Sequence, residues 1–105
     1  MNQKKNARAE EIIQRAAAGF LNRRANAGSL ITVTKVETAA RGKRANVFLT
    51  VFPESREAET LSFIKRERGV FRRYLKEKTG LAICPFVDFT IDLGEKNRQK
   101  LENLK

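Results

Sequence analysis

Apolar side chains near the start of the chain recur at the spacing of an α-helix. They follow an i, i+1, i+4, i+5 pattern at Ile12, Ile13, Ala16, Ala17, Phe20 and Leu21. Polar and charged side chains fall on the other sides, so the pattern predicts an amphipathic helix over about residues 6–26. Asn26 and Gly28 favour a left-handed cap, and the helix is expected to end there.

Two segments rich in β-branched residues follow this helix. They are Leu30–Val36 and Ala45–Phe52, with the polar stretch Ala40–Arg44 between them. This pattern predicts two strands that form a hairpin with its turn at Gly42. Pro53 cannot donate a hydrogen bond to a neighbouring strand, and it is expected to end the second strand.

Residues 57–78 return to a helical pattern. In a straight helix the apolar side chains would share about 140° of arc. These side chains are Phe63, Ile64, Val70, Phe71, Tyr74 and Leu75. Gly69 lies in the middle of the segment, where a glycine costs about 1 kcal/mol relative to alanine. It predicts a kink or a break between two shorter helices, and Thr79–Gly80 is expected to end the second one.

A third strand is predicted over residues 83–92. Apolar and polar positions alternate along it, with Val87, Phe89 and Ile91 on one side and Asp88, Thr90 and Asp92 on the other. One face of this strand should therefore be buried and the other should be polar.

The last segment, Gly94–Lys105, is charged. Leu101 and Leu104 are spaced for a single docked helical turn, and the rest is expected to be frayed or disordered. The element order therefore predicts one α+β domain over residues 1–93, with helices on one face of a three-stranded sheet, followed by a charged tail over residues 94–105.

Charge gives the first indication of function. The 105 residues carry 22 Lys and Arg against 12 Asp and Glu, a formal net charge of +10. A polyanion is the natural partner for such a chain, and nucleic acid is the preferred interpretation. A membrane surface and charge that serves only solubility remain the alternatives. With no evident apolar patch, a monomer is expected.

The predicted second helix carries its cations away from its apolar face. Four of them share about 80° of arc, with two more beside them. The six are Lys65, Arg68, Arg72, Lys76, Arg66 and Arg73. Their mutual repulsion would be relieved by a phosphate backbone, and the arginine fork suits phosphates and bases. We predict that RNA binds here, with close approach of the backbone at Gly69; an ordinary solvated helix face is the alternative.

The predicted hairpin tip carries a second group of cations. Arg41, Lys43 and Arg44 lie at or beside the turn. Three positive charges so close together would add to the attraction of a polyanion. We expect them to assist the helix in RNA binding.

Catalytic chemistry finds little support in the sequence. There is no histidine, and no phosphate-cradling loop, zinc spacing or dinucleotide motif is present. Cys84 is expected to be a small core residue. Asp88 and Asp92 would lie about 13 Å apart along a strand, too far to act on one bond. The chain is therefore expected to have no catalytic residue, no metal and no cofactor.

The lone cysteine excludes an internal disulfide, and no apolar leader or long apolar segment is visible. The sequence therefore predicts a cytoplasmic protein that is neither exported nor inserted in a membrane.

The combined order of several motifs resembles the ribosome-binding factor A family over about residues 8–93. The matching segments are Arg8 with Glu11–Ile13, Leu30–Glu37, Ala45–Val51, Arg68–Arg72, and Pro85–Phe89 leading to Asp92. The resemblance implies a type II K-homology-like fold of order α-β-β-α(kink)α-β. It also implies an assembly factor that binds the small ribosomal subunit and its ribosomal RNA, assists rRNA processing and maturation, and takes no small-molecule substrate.

The chain departs from the family pattern at the kink. The family carries Ala-x-Gly where ordinary K-homology domains carry a GxxG clamp for single strands. Here the positions are Glu67, Arg68 and Gly69, so the glycine is kept and the alanine is not. The alternatives are a generic single-stranded nucleic-acid binder of this fold, a small α+β enzyme and a protein–protein adaptor.

Overall fold

The computed structural model describes residues 3–25 and 28–103. Its elements are α1 (Gln3–Arg24), β1 (Leu30–Ala39), β2 (Arg44–Phe52), α2 (Glu57–Arg66), α3 (Arg68–Lys78), β3 (Phe86–Ile91) and α4 (Leu93–Asn103). Short 3-10 turns lie at Ala40–Gly42 and Glu54–Arg56. The predicted α+β order is confirmed through β3, whereas the predicted helix end at Asn26 lies outside the described residues.

The three strands form one mixed sheet in the order β1-β2-β3. β1 and β2 are antiparallel neighbours joined by the predicted hairpin. β3 runs parallel to β2, and the chain reaches it through α2 and α3. β2 is therefore the central strand, and β3 is an edge strand that follows directly on the cation-bearing helices.

The core lies between the sheet and α1, α2 and α3. Four aliphatic side chains of β2 point into the core, and these are Ala45, Val47, Leu49 and Val51. Phe71 of α3 is fully buried at the centre. Its ring centroid lies 5.1 Å from that of Phe20 and 5.7 Å from that of Phe89, so one aromatic side chain joins α1, α3 and β3.

A bulge at Thr34 changes which side chains of β1 face the core. Val33 pairs with Leu49 and Lys35 pairs with Phe48, so Thr34 is the extra residue. Because side chains alternate along a strand, one extra residue reverses the alternation. Ile31 before the bulge and Val36 after it are both buried, while Lys35 stays exposed.

The predicted break in the second helical segment is confirmed, but it lies at Glu67. This residue has φ −93° and ψ 7°, between the end of α2 and the start of α3. Gly69 belongs to the first turn of α3. A Cβ built on Gly69 would meet no atom within 4 Å, so neither crowding nor backbone geometry inside the molecule requires a glycine there.

The expectation of a frayed or disordered tail is wrong. Residues Leu93–Asn103 form the regular helix α4. The predicted docked turn is also wrong at Leu101, which is 66% exposed, and Leu104 lies outside the described residues. The boundary between a domain ending at residue 93 and a separate tail stays a prediction.

Polar contacts, and not the expected apolar ones, fix α4 to the rest of the domain. Asp92 caps it, because its Oδ1 accepts the backbone N–H of Glu95 at 3.0 Å. Lys96 Nζ lies 2.8 Å from the carboxylate of Glu54 and 3.0 Å from that of Glu57. These partners precede Lys96 by about 40 positions, so a local pattern in the sequence does not reveal them.

Within the described ranges, no helix is long and apolar enough to cross a bilayer.

Candidate nucleic-acid interface

The break at Glu67 places the cations at the end of α2 and the start of α3 beside the edge strand β3. Lys65 Nζ lies 3.3 Å from Oδ1 of Asp88, and Arg68 Nη1 lies 3.2 Å from the same oxygen. Arg68 Nε also donates to the carbonyl oxygen of Lys65 at 2.9 Å. Two cations from two helices therefore converge on one carboxylate of β3.

Asp88 is held in its charged form. Partial burial of its carboxyl acts to raise its pKa, but the backbone N–H of Phe89, Lys65 and Arg68 together lower the pKa below its ordinary value of 3.8. The Phe89 N–H donates to Oδ1 at 2.8 Å. At neutral pH the carboxylate therefore occupies the place where an RNA phosphate could meet Lys65 and Arg68.

Arg72 is fixed by three interactions at the start of β3. Its Nε donates to the carbonyl oxygen of Pro85 and its Nη2 to that of Cys84, both at 3.2 Å. Its Cζ lies 4.0 Å from the ring centroid of Phe86. Arg72 is therefore a partly buried link between α3 and β3 as well as a charge at the surface, and Cys84 packs against the core as predicted.

A groove runs between α3 and β3. It has a volume of about 540 Å³ and is lined by Arg68, Gly69, Arg72, Arg73, Lys76, Phe86 and Val87. Arg73 and Lys76 are exposed and lie one turn apart on α3. Five of the predicted RNA-binding residues thus share one concave surface, and a chain with phosphates every few ångströms could follow it.

Arg66 lies apart from this groove. Its Nη1 donates to Oγ of Ser62 at 3.2 Å on the same helix. It borders a different hollow, of about 300 Å³, together with Phe63 and Ala25. The six cations predicted as one surface are therefore divided, and Arg66 faces another side of α2.

The hairpin cations are divided in the same way. The Lys43 carbonyl accepts the N–H of Phe86 at 2.9 Å, and Arg44 is the register partner of Phe86 in the sheet. Arg44 also borders, with Arg68 and Asp88, a concavity of about 530 Å³ on the outer face of the sheet. Lys43 and Arg44 therefore lie next to the groove of α3, as part of one basic surface.

Arg41 belongs to a different place. Its backbone has φ 58°, in the left-handed region that disfavours residues other than glycine. It borders an apolar cavity of about 750 Å³ with Ile12 of α1 and Ile83. The structure thus separates Arg41 from Lys43 and Arg44, although the three are neighbours in the sequence.

α1 fixes the break between α2 and α3 from the other side. Arg24 forms an ion pair with Glu67, the break residue. Arg23 Nη2 donates to the hydroxyl oxygen of Tyr74 at 2.7 Å and lies over its ring. Glu67, which replaces the alanine of the family pattern, is therefore a structural contact that ties the cation-bearing helices to α1.

Phe86 and Asp88 were not among the residues predicted at this surface. The alternation of β3 contained the signal, because it places Phe86 on the same side as Asp88 and Thr90, away from the core. An aromatic residue on the polar side of a strand is informative next to a basic helix. Across residues 3–25 and 28–103, no three acidic or thiol side chains converge as metal ligands would.

Comparison with known proteins agrees with the resemblance noted in the sequence. The sequence profile described as Ribosome-binding factor A matches residues 5–105. The ribosome-binding factor A of Thermobifida fusca is 32% identical over 95 residues, which cover 88% of this chain and 63% of that protein. The ribosome-binding factor A of Koribacter versatilis is 33% identical over 76 residues, which cover 71% of this chain and 62% of that protein. The chain thus spans less than two thirds of the length of these two relatives.

Two solved structures share the fold. The crystal structure of ribosome-binding factor A from Thermus thermophilus superposes with a TM-score of 0.72 at 22% identity, covering 82% of this chain and 94% of that one. Coordinates of the Thermus thermophilus factor fitted into a cryo-EM map of a 30S complex superpose with a TM-score of 0.66 at 21% identity. The match covers 75% of this chain and 86% of that one. The predicted K-homology-like fold is confirmed, and the chain belongs to the ribosome-binding factor A family.

Proposed function

We propose that this protein is a cytoplasmic ribosome assembly factor that binds the small ribosomal subunit through its ribosomal RNA and assists rRNA maturation. It acts as a monomer, by binding alone, without cofactor or catalysis. Family membership supports this proposal, as does the Thermus thermophilus relative that was fitted into a map of a 30S complex.

The observation that carries the proposal is the basic groove between α3 and β3. Arg68, Arg73 and Lys76 line it, and Arg44 adds charge from the neighbouring strand. Each phosphate neutralised by such cations releases counterions, so RNA affinity should fall with a slope of about 0.7 to 0.9 per contact in log salt. The groove offers this charge along a path, which suits an extended backbone better than a compact anion.

The first experiment is sedimentation of cell lysate through a sucrose gradient at moderate salt. The protein should travel with free small subunits or their precursors and be absent from translating ribosomes. A protein that stays at the top of the gradient even at low salt would refute ribosome binding. Deep sedimentation with translating ribosomes would refute an assembly role.

A pair of matched variants tests whether the groove is responsible. Arg73→Gln with Lys76→Gln removes two exposed charges of the groove. Arg15→Gln with Lys100→Gln removes the same charge from α1 and α4, where both side chains are also exposed. The groove variant should sediment less with small subunits than the control variant, and equal behaviour would place the RNA contact elsewhere.

A generic single-stranded nucleic-acid binder is the second candidate function. The exposed ring of Phe86 favours it, because aromatic side chains on a basic surface stack with bases of any sequence. Competition separates the two candidates. An assembly factor should stay on immature small subunits in the presence of excess unrelated single-stranded RNA, whereas a generic binder should be removed.

A further inference from the structure

We propose that Phe86 is a stacking platform for an unpaired RNA base, so that the RNA crossing the start of β3 is single-stranded. This inference rests on the proposed function and narrows it, because it names the class of RNA that the basic surface takes. Cations alone bind duplexes and single strands, whereas an exposed aromatic face selects bases that are not already stacked within a helix.

The ring of Phe86 is exposed and also held in place. The residue is 66% exposed, although it belongs to a strand whose next residue, Val87, is buried. Its backbone N–H donates to the carbonyl oxygen of Lys43, which fixes the start of β3. The Arg72 guanidinium, anchored by two backbone carbonyls, lies against the ring at 4.0 Å. A ring held in this way loses little conformational freedom when a base stacks on it.

Phe86 lies between two hollows that differ in chemistry. On one side is the groove of α3, where Arg68, Arg73 and Lys76 supply charge for phosphates. On the other side is the outer-face concavity that Arg44 borders. A single strand that passes over the ring would therefore meet cations on both sides of the stacked base.

The outer-face concavity also has groups that could contact the edge of a base. Asn46 borders it, and its Oδ1 accepts a hydrogen bond from the Thr90 hydroxyl at 2.7 Å. That bond orients the amide and leaves its NH₂ group as a donor. Arg44 contributes a guanidinium with several donors in one plane. A base on the ring would thus find hydrogen-bond donors beside a stacking face.

Phe52 provides an internal comparison. It is 62% exposed, nearly as much as Phe86, and it also lies on the outer face of the sheet. It is at the far end of β2, about 26 Å along the strand from Arg44. Its partner in β1 is Leu30, so it has an apolar neighbour where Phe86 has a guanidinium. Exposure alone therefore does not distinguish the two rings, but the Arg72 guanidinium that lies against Phe86 does.

The chain contains no tryptophan, so Phe86→Trp introduces a single tryptophan at the proposed platform, which can be excited selectively over Tyr74. Phe52→Trp is the matched control. Each full-length variant is titrated with a short unstructured oligoribonucleotide and with a fully paired RNA duplex of equal length. We expect saturable quenching at position 86 by the single strand, little by the duplex, and none at position 52. Equal quenching by duplex and single strand at position 86 would overturn the proposal.

Affinity measurements provide an independent test. Stacking on an aromatic ring corresponds to about a 5- to 150-fold change in binding. Phe86→Leu keeps an apolar side chain but removes the aromatic face, and it should weaken single-strand binding by that factor while leaving duplex binding unchanged. Phe86→Tyr should retain the affinity of the unaltered protein. Unchanged affinity in Phe86→Leu would refute the platform.

The outcomes separate this inference from the proposed function. If Arg73→Gln with Lys76→Gln weakens RNA binding while Phe86→Leu does not, the basic groove binds RNA and the platform is refuted. If the unaltered protein sediments with small subunits but binds neither RNA, the platform is refuted and the proposed function stands; if it does not sediment with small subunits either, both fail. Thermal unfolding of each variant should match that of the unaltered protein, because the ring is outside the core.

Discussion

Asp88 offers the sharpest test of how the basic surface works, because its carboxylate competes with RNA. Lys65 and Arg68 both contact Oδ1 of Asp88, at 3.3 and 3.2 Å. A phosphate that takes these cations must first replace the carboxylate. Asp88→Asn removes the negative charge but keeps an oxygen that can accept the N–H of Phe89, so the local backbone of β3 should be preserved.

The size of the effect follows from the two ion pairs. Exposed pairs of this kind are each worth about 0.2 to 1 kcal/mol. Without them, RNA no longer has to displace either pair, so binding should tighten by about 0.4 to 2 kcal/mol, or about 2- to 30-fold. The salt slope should also steepen by about 0.7 to 0.9 for each freed cation that meets a phosphate.

The assay is fluorescence polarisation of a labelled small-subunit rRNA fragment across a series of potassium chloride concentrations. Glu77→Gln is the control, because it raises the net charge by the same amount from another exposed position of α3. For Glu77 the described part of the chain provides no ion-pair partner. If Asp88→Asn binds no more tightly than Glu77→Gln, then Lys65 and Arg68 do not contact RNA, and the reasoning fails.

Three further predictions concern the folded state. Phe71→Ala should lower the free energy of unfolding by about 3 to 5 kcal/mol in urea titrations, and a loss below about 1 kcal/mol would contradict its central place in the core. The Thr34 hydroxyl and the Glu95 N–H lower the pKa of Asp92 below its ordinary value of 3.8. Because the folded-state pKa is the lower one, this stabilisation is complete above the unfolded-state pKa and is lost as pH falls through the folded-state value. The melting temperature of Asp92→Asn should therefore decline less on acidification than that of the unaltered protein, and parallel curves would refute the contact. Lys96→Met should speed amide hydrogen exchange in α4, since it removes the contacts to Glu54 and Glu57; unchanged exchange would show that other contacts hold this helix.

Much of the fold could be predicted because its signals are local. The spacing of Ile12 to Leu21 identifies α1, and the β-branched segments on either side of Gly42 identify the hairpin. The break in the second helical segment was also predictable, but its position was not. The sequence predicts the break at Gly69, because glycine disfavours helices. In the structure the break lies at Glu67, which forms an ion pair with Arg24 about 40 residues earlier.

The features that could not be predicted depend on contacts between distant parts of the chain. The bulge at Thr34 is stabilised by a hydrogen bond of 2.6 Å from the Thr34 hydroxyl to the carboxylate of Asp92. Asp92 lies 58 positions later in the chain. α4 has two exposed leucines, Leu93 and Leu101, and its pattern alone gave no reason to expect a stable helix. Neighbouring cations were likewise assigned to one surface, although backbone direction places Arg41 and Arg66 elsewhere.

The mixed sheet closes over two very different lengths of chain. The hairpin of β1 and β2 forms between near neighbours, whereas the parallel pairing of β2 with β3 joins residues separated by about 40 positions. As the chain emerges during synthesis, β2 therefore has one edge without a partner until α2, α3 and β3 have all appeared. An unpaired edge is a site for aggregation. The same late step also brings Phe86 beside Arg44, so the basic surface is completed only when the sheet itself is closed.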